Sequence, residues 1–429
     1  MRAEGEVSRN PALIRNEKTA RRRLERRERR ALLLWESPLS SGVLAFAIYF
    51  LFALGHGSSF HASPLAYYNY LADAFVHGQL NLRLLPPDAL DLSYFQGQYF
   101  LYWPPLPAVT LMPFVALFGV EFSDIFFTVV VGAVNVSLIA LLLRQACRRG
   151  IIRLSKLRRG ILVLFFALGT VHLTLAPFGR VWFTGQLIGF LCVELGYLAS
   201  ISLRGYSAFA LTGLAIAAAF LTRNHLILAG VWPALFLLYQ HRSFGWRRSL
   251  AYSLVAMLPI LFAIALLGAY DWLRFGSVFD NGITHHLMHP AFVENYQRYG
   301  FFSLHYVPIN LFYEFIAYPL PLRSTSYYGG SLFLLSPLFF AAFWSIKKNR
   351  SWSTWVLFGT VVLIAIPILL LMGTGWVQFG PRYTLDFTVP LLLLTAMGSR
   401  NWSASTMFRL TLISIVHYSI GAFIFMLYL

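Results

Sequence analysis

Apolar residues fall into long runs separated by short polar stretches. The runs lie near residues 39–55, 104–120, 124–143, 161–178, 187–203, 206–222, 226–240, 250–270, 331–346, 354–373, 384–399 and 406–428. An α-helix needs about 17–25 mostly apolar residues to cross about 30 Å of hydrocarbon. The pattern therefore predicts an all-α integral membrane protein. One run stands apart, because Pro104, Pro105, Pro107 and Pro113 interrupt 104–120. Internal prolines remove a backbone donor and clash with the preceding turn. This segment is expected to be a proline-broken cap that lies at the interface or re-enters under cover of protein.

Charge supports leaving that run out of the spans. The net charge is +17, and the basic residues come in clusters beside apolar runs. Residues 1–36 hold eleven Lys/Arg with six Glu, and 144–159 hold seven with no acid. With twelve spans and the N-terminal tail inside, the 144–159 cluster and every later basic loop would face outward, against the positive-inside rule. With eleven, about 27 of the 34 basic residues lie inside. The expected layout is a basic cytoplasmic tail over 1–36 and a polytopic domain over 37–429. About eleven transmembrane helices and two long outer segments, 56–123 and 271–330, make up that domain, with the C-terminus outside. Arg21 to Arg30 reads as a charged helix lying against anionic lipid or solvent.

Composition removes other classes. With 58% hydrophobic and 12% charged residues, against about 25% charged in ordinary domains, the chain is no soluble globule. Basic clusters placed beside spans point to a solvated cytoplasmic face and away from nucleic acid. Cys147 falls in a basic loop and Cys192 within a span, so no disulfide framework is expected. Neither a cleaved signal peptide nor an inverted repeat is evident. The expected location is a cell membrane, as a multi-pass protein of the bacterial inner membrane.

The acids fall mostly in the outer segments. Asp73 lies in AYYNYLADAFVHGQL, where Tyr67, Tyr70, Leu71, Ala74 and Phe75 recur at helical spacing. That is the pattern of an interfacial amphipathic helix. A carboxylate desolvated at a membrane edge suits a general base, and an ion pair with an arginine would equally explain it. Asp88 and Asp91 precede Tyr94, Tyr99, Tyr102 and Trp103, which suit either sugar stacking or an aromatic belt. Arg180, Arg223 and Arg382 stand at expected outer ends of spans, and guanidinium binds phosphate bidentately without losing its charge. The ordinary alternative is interfacial anchoring, or pairing of Arg382 with Asp386 one turn on. Glu194 lies within a span, where a carboxylate needs a partner or a proton. His285, His286 and His289 form HHLMH, whose spacing allows a divalent metal on a shared helix face.

Several stretches in this order resemble the GT-C glycosyltransferase superfamily: YLADAFVHGQL (70–80), YFLYWPPLPAV (99–109), YDWLRFGSVFDNG (270–282) and FGPRYTLDFTVP (379–390). Within it, the chain looks most like bacterial relatives of protein O-mannosyltransferases and of lipid A aminoarabinose transferases. The resemblance implies hexosyl or pentosyl transfer from a polyprenyl-phosphate-linked sugar to an acceptor hydroxyl at the outer face. The acceptor would be a glycan, lipid or protein, and a carboxylate of the first outer loop would be the base. Asp73, or failing it Asp91, takes that role here. Arg382, Arg223 and Arg180 would hold the donor phosphate, and Tyr102, Trp103 and Tyr383 would contact substrate. The chain departs from the family pattern at one place. Ser63-Pro64 stands where an Asp is expected, roughly fifteen residues before Gly78. A lipid-linked sugar flippase or small-solute transporter using Glu194 is the rival reading, and an inactive relative a third.

Overall fold

The computed structural model describes residues 30–428 apart from 56, 58, 59, 349, 350 and 376. The expected charged helix over Arg21–Arg30 and most of the tail lie outside the described residues. Seven described helices are long and apolar enough to cross a membrane: Pro38–Gly55, Asp124–Arg148, Lys156–Thr174, Val181–Ser202, Gly245–Phe275, Trp352–Leu370 and Ala404–Ile424. The protein is an all-α integral membrane fold with only short strands. Most residues in the apolar stretches of Lys156–Thr174 and Val181–Ser202 are buried, so these helices form the centre, whereas few in that of Gly245–Phe275 are, and it lies at the periphery.

The other four expected spans are shorter or broken. Residues 206–222 form the 16-residue helix Gly205–Phe220. The run at 226–240 is a 3-10 turn, Asn224–Gly230, followed by the Val231–Gln240 helix. Residues 331–346 split into Leu332–Leu335, Pro337–Phe340 and Ala341–Lys348, since Pro337 cannot donate to continue the ladder. The run at 384–399 starts as a 3-10 helix, Arg382–Phe387, before Thr388–Gly398. Glycines let the helices approach closely. A Cβ at Gly213 would collide with the carbonyl of Ala256, and one at Gly398 with that of Ala341. Small residues at such crossings are how membrane helices gain packing without a hydrophobic drive between them.

The cap corrects one expectation. Leu106–Phe118 is a continuous 13-residue helix that carries Pro113 inside it. At 1.5 Å per residue it is about 20 Å long, too short to cross. Its prolines mostly start it: Pro105 is the N-cap and Pro107 lies in the first turn, where a missing donor costs nothing. It packs on the Tyr67–Val76 helix around a small core that includes Tyr67, Tyr68, Leu71, Leu101, Leu111 and Val115. An antiparallel hairpin, Ser93–Phe95 with Gln98–Phe100, follows the first cap helix. Segments 56–123 and 271–330 are joined by backbone bonds from Asp91 N to Leu287 O (3.0 Å) and from Leu287 N to Leu92 O (2.7 Å).

Candidate functional site

The 3-10 turn Arg382–Phe387 places Arg382 in a buried wall beneath the cap, with the residue 5% exposed. Its guanidinium donates from Nε to Gly375 O (2.9 Å), from Nη1 to Gln186 Oε1 (3.2 Å) and from Nη2 to Tyr383 Oη (3.2 Å). All three partners are neutral. Among the described residues no carboxylate stands at ion-pair distance from it. The expected alternative, an Arg382–Asp386 pair, is not what forms. Asp386 instead takes Arg223 Nη2 (3.1 Å) and His225 Nε2 (2.8 Å) on Oδ2, and its Oδ1 has no partner among the described residues. A charge with three donors to neutral groups retains most of its field, and two of its five N–H groups remain available.

Arg223 and Arg382 meet at one aromatic ring. Their Cζ atoms lie 5.2 Å and 4.5 Å from the Tyr383 ring centroid. Residues separated by more than 150 positions are thereby brought into one cluster, as two phosphate-binding groups would have to be. Arg180 and Arg382 each lie 6.0 Å from the Phe183 ring centroid, so a third guanidinium flanks the site. Arg180 itself sits at φ 74°, the N-cap of the Val181–Ser202 helix. Burial lowers its pKa, opposed by the nearby Asp124 charge.

Aromatic residues of the cap stand within electrostatic reach of these cations. Tyr102 lies tilted against Trp103 (4.2 Å between centroids) and edge-on to His286 (4.8 Å), and Trp103 meets Trp182 edge-on at 6.4 Å. Burial drives the Tyr102 phenol well above its ordinary range, with the Asp91 charge adding to the effect and Arg382 opposing it. Tyr68 is raised by burial and held back by Arg223. Tyr102 therefore lies within electrostatic reach of both Asp91 and Arg382, and Tyr68 within reach of Arg223. The Asp91 backbone is left-handed at φ 66°, and its Oδ1 lies 3.1 Å from His286 Nε2. Beyond His286 the cap holds a cleft of about 590 Å³ lined by Asp88, Leu90, Met288, Pro290, Val293 and Tyr296 among others.

The two carboxylates expected as bases differ sharply. Asp73 accepts a two-pronged pair from Arg83, 3.0 Å from Nε to Oδ2 and 3.1 Å from Nη2 to Oδ1, with His77 at 3.6 Å. Asp91 keeps one oxygen out of any such clamp and is 27% exposed at its side chain. Asp124, an acid given no site role by the sequence, stands beside the departure at Ser63. It accepts from Ser63 N and Ser63 Oγ (both 2.7 Å) and from Arg180 N (2.8 Å). A carboxylate thus occupies the neighbourhood of position 63, delivered by another helix.

The histidine motif forms no shared helix face. His285 ends a 3-10 turn and lies 3.0 Å from Asp280 Oδ2, His286 goes to Asp91, and His289 caps Ala291 N at 3.3 Å. Among the described residues no group of three potential ligands is close enough to hold a metal. Glu194 is fully buried in the centre of the bundle, with neither oxygen hydrogen-bonded among the described residues. Glu314, also missed in the sequence, is 2% exposed and within electrostatic reach of Arg382 and Asp386. No periodicity or motif marked it, since only the fold of the second outer segment brings it there.

No family model matches the chain, and no curated protein matches it. Among solved structures it is similar to ArnT from Cupriavidus metallidurans bound to undecaprenyl phosphate. The two share 14% identity over 84% of this chain and 60% of that one, with a TM-score of 0.49. It is also similar to the oligosaccharyltransferase of Archaeoglobus fulgidus in the apo form, at 12% identity over 90% of this chain and 55% of that one, with a TM-score of 0.43. The chain thus spans well under two thirds of the length of both.

Proposed function

We propose that the chain is a membrane glycosyltransferase that moves a sugar from a polyprenyl-phosphate-linked donor to an acceptor hydroxyl at the outer face. The observation that carries this reading is the pair Arg223 and Arg382 on one tyrosine ring, with Asp386 as the carboxylate bonded into the pair. Two guanidinium groups against one carboxylate leave the wall net positive, in a buried site where charge is poorly screened. A lipid phosphate suits such a wall, and fixed cations there stabilise it as leaving group. Tyr102 and Trp103 cover the site with faces on which a sugar ring can stack. The resemblance of four sequence stretches to the GT-C superfamily points the same way.

In this reading the acceptor oxygen attacks the anomeric carbon as the bond to phosphate oxygen breaks. Direct attack inverts that carbon. Asp91 takes the acceptor proton, with His286 orienting its carboxylate, while Asp73 with Arg83 shapes the cap helix. Arg180 adds to the positive field at the rim. Incubation of the purified protein with radiolabelled polyprenyl-phosphate sugars and hydroxyl acceptors tests the proposal. Label should pass to acceptor, and transfer should collapse in Arg382→Ala. Intact donor binding without transfer to any acceptor would count against an enzyme.

Glu194 favours a second reading, a lipid-linked sugar flippase or solute transporter, because a carboxyl inside a bundle with no hydrogen bond among the described residues is costly without a role. Transport requires accessibility around Glu194 to alternate between the two sides of the membrane. Transferase chemistry leaves the cleft open to one side.

A further inference from the structure

The second outer segment contributes an acid to the arginine wall. In VPINLFYEFIAYP, Asn310 and Glu314 are four apart and buried at 1% and 2% exposure, whereas Ile309, Phe312 and Ile316 are exposed at 50%, 48% and 62%. Asn310 Nδ2 donates to Leu369 O (2.9 Å) and Leu371 O (2.8 Å), which fixes this stretch to the end of the Trp352–Leu370 helix. Gly330 N donates to Tyr313 O at 3.0 Å, and Tyr328–Gly329 pairs in parallel with Gln378–Phe379. Gln378 Oε1 in turn accepts from Arg382 N at 3.2 Å. Backbone pairing and one side-chain amide thus tie the Glu314 turn to the Arg382 turn.

Glu314 Oε2 is buried and has no hydrogen-bond partner among the described residues. Arg382 acts on it through space but directs its guanidinium hydrogen bonds to Gly375, Gln186 and Tyr383. The charged groups facing Glu314 are Arg382 and Asp386 from the 382–387 turn, with the Tyr418 phenol from the C-terminal helix. Burial pushes the Glu314 carboxyl up to about 8, opposed by Arg382 and assisted by Asp386. The count of charge then matters. With Glu314 ionised, Arg223 and Arg382 are balanced by two carboxylates. With Glu314 neutral, the wall keeps one net positive charge and gains an O–H donor. An anion is held by the second arrangement and repelled by an ionised Glu314.

We propose that Glu314 works as a neutral carboxylic acid in the anion site, donating a hydrogen bond to the lipid phosphate that Arg382 and Arg223 hold and passing its proton to that phosphate as the sugar leaves. This rests on the glycosyltransferase reading for its second half only. In that step the bond between the anomeric carbon and phosphate oxygen breaks, and the acceptor oxygen bonds to the carbon. The acceptor proton goes to Asp91 and the Glu314 proton to the departing phosphate, so two carboxyl groups exchange roles without a further reactant.

Binding of undecaprenyl monophosphate to the full chain in nanodiscs, measured from pH 7.5 to 9.5, tests the first half. The second ionisation of a phosphate monoester, near 6, is complete across that range. Wild-type affinity should fall by up to about tenfold per pH unit above 8, the slope for one linked proton. Glu314→Gln, which donates but cannot ionise, should bind within about threefold of wild type at pH 7.5 and lose the slope, and Glu314→Asp should retain one. Parallel slopes in wild type and Glu314→Gln would overturn the proposal. For the second half, Glu314→Gln should lower kcat about 100-fold, the usual scale for a lost proton donor, with little change in donor KM. Full kcat in that variant would refute proton transfer. A wild type that binds lipid phosphate with the expected slope but transfers no sugar would defeat the enzymatic reading and leave the neutral acid standing.

Discussion

At the scale of single residues, Arg382 shows how an arginine differs from a generic positive charge. Its fork reaches Gly375, Gln186 and Tyr383 in three directions while its face lies over an aromatic ring. Lysine offers a point charge on a flexible stem and cannot reproduce that fork. Arg382→Lys should therefore lower kcat/KM for sugar transfer by about 100-fold, the loss reported typically when one transition-state donor is removed, and a steady-state assay with labelled donor reads it. Asp91→Asn should depress kcat at least as strongly with donor affinity preserved. Asp73→Asn should act mainly through the melting temperature, because it loosens the Arg83 clamp on the cap. Glu314 adds a pH signature to stability. Its folded-state pKa of about 8 lies above the ordinary 4.5, so the folded chain binds that proton more tightly than the unfolded chain. The advantage is complete below about 4.5 and is lost as pH rises through about 8. Raising the pH from 5 to 9 should lower the melting temperature in detergent, and Glu314→Gln should blunt the drop.

Among elements, the informative ones are those that depart from a plain spanning helix. The turn Arg382–Phe387 and the π-helical turn Phe312–Ile316 carry the arginine and the acid. Irregular backbone needs its polar groups satisfied by other protein groups, and here the Gln378 amide accepts from Arg382 N and donates to Tyr328 O and Thr374 O. Straight helices do the opposite work, by packing closely. Gly213 meets the backbone of the Gly245–Phe275 helix at Ala256 with no room for a methyl group. Gly213→Ala should destabilise the protein by about 1–3 kcal/mol, as overpacking does, and a detergent melting curve checks it. Pro113 teaches a different lesson. An internal proline does not break Leu106–Phe118, because a short helix packed on the Tyr67–Val76 helix tolerates one missing bond.

For the whole molecule, topology is the property to test. If the cap lies outside and the 144–159 loop inside, a cysteine at Glu121 should react with an impermeant maleimide in intact cells. One at Arg153 should react only after permeabilisation. Both positions are exposed, and Cys147 and Cys192 would first be replaced. Labelling of position 121 from the cytoplasm would restore 104–120 as a span.

The sequence by itself determined the helical membrane architecture, because the cost of burying backbone and charge in hydrocarbon is written directly in the length of apolar runs. It also offered Arg223, Arg382, Tyr102 and Tyr383 as candidates, because guanidinium groups suit phosphate and aromatic faces suit sugar rings. Tertiary structure decided which of these meet. The partner of Asp386 is Arg223, from a distant part of the chain, not Arg382 four residues away, because the 3-10 turn aims Arg382 at Gln186. The same is true of the acids. Asp124 bonded to Ser63 and Glu314 within electrostatic reach of Arg382 carry no local signature, since a carboxylate at a loop or helix end is ordinary until folding excludes water from it. Proximity between residues far apart in sequence, and the burial that gives a charge its strength, exist only once the helices have packed.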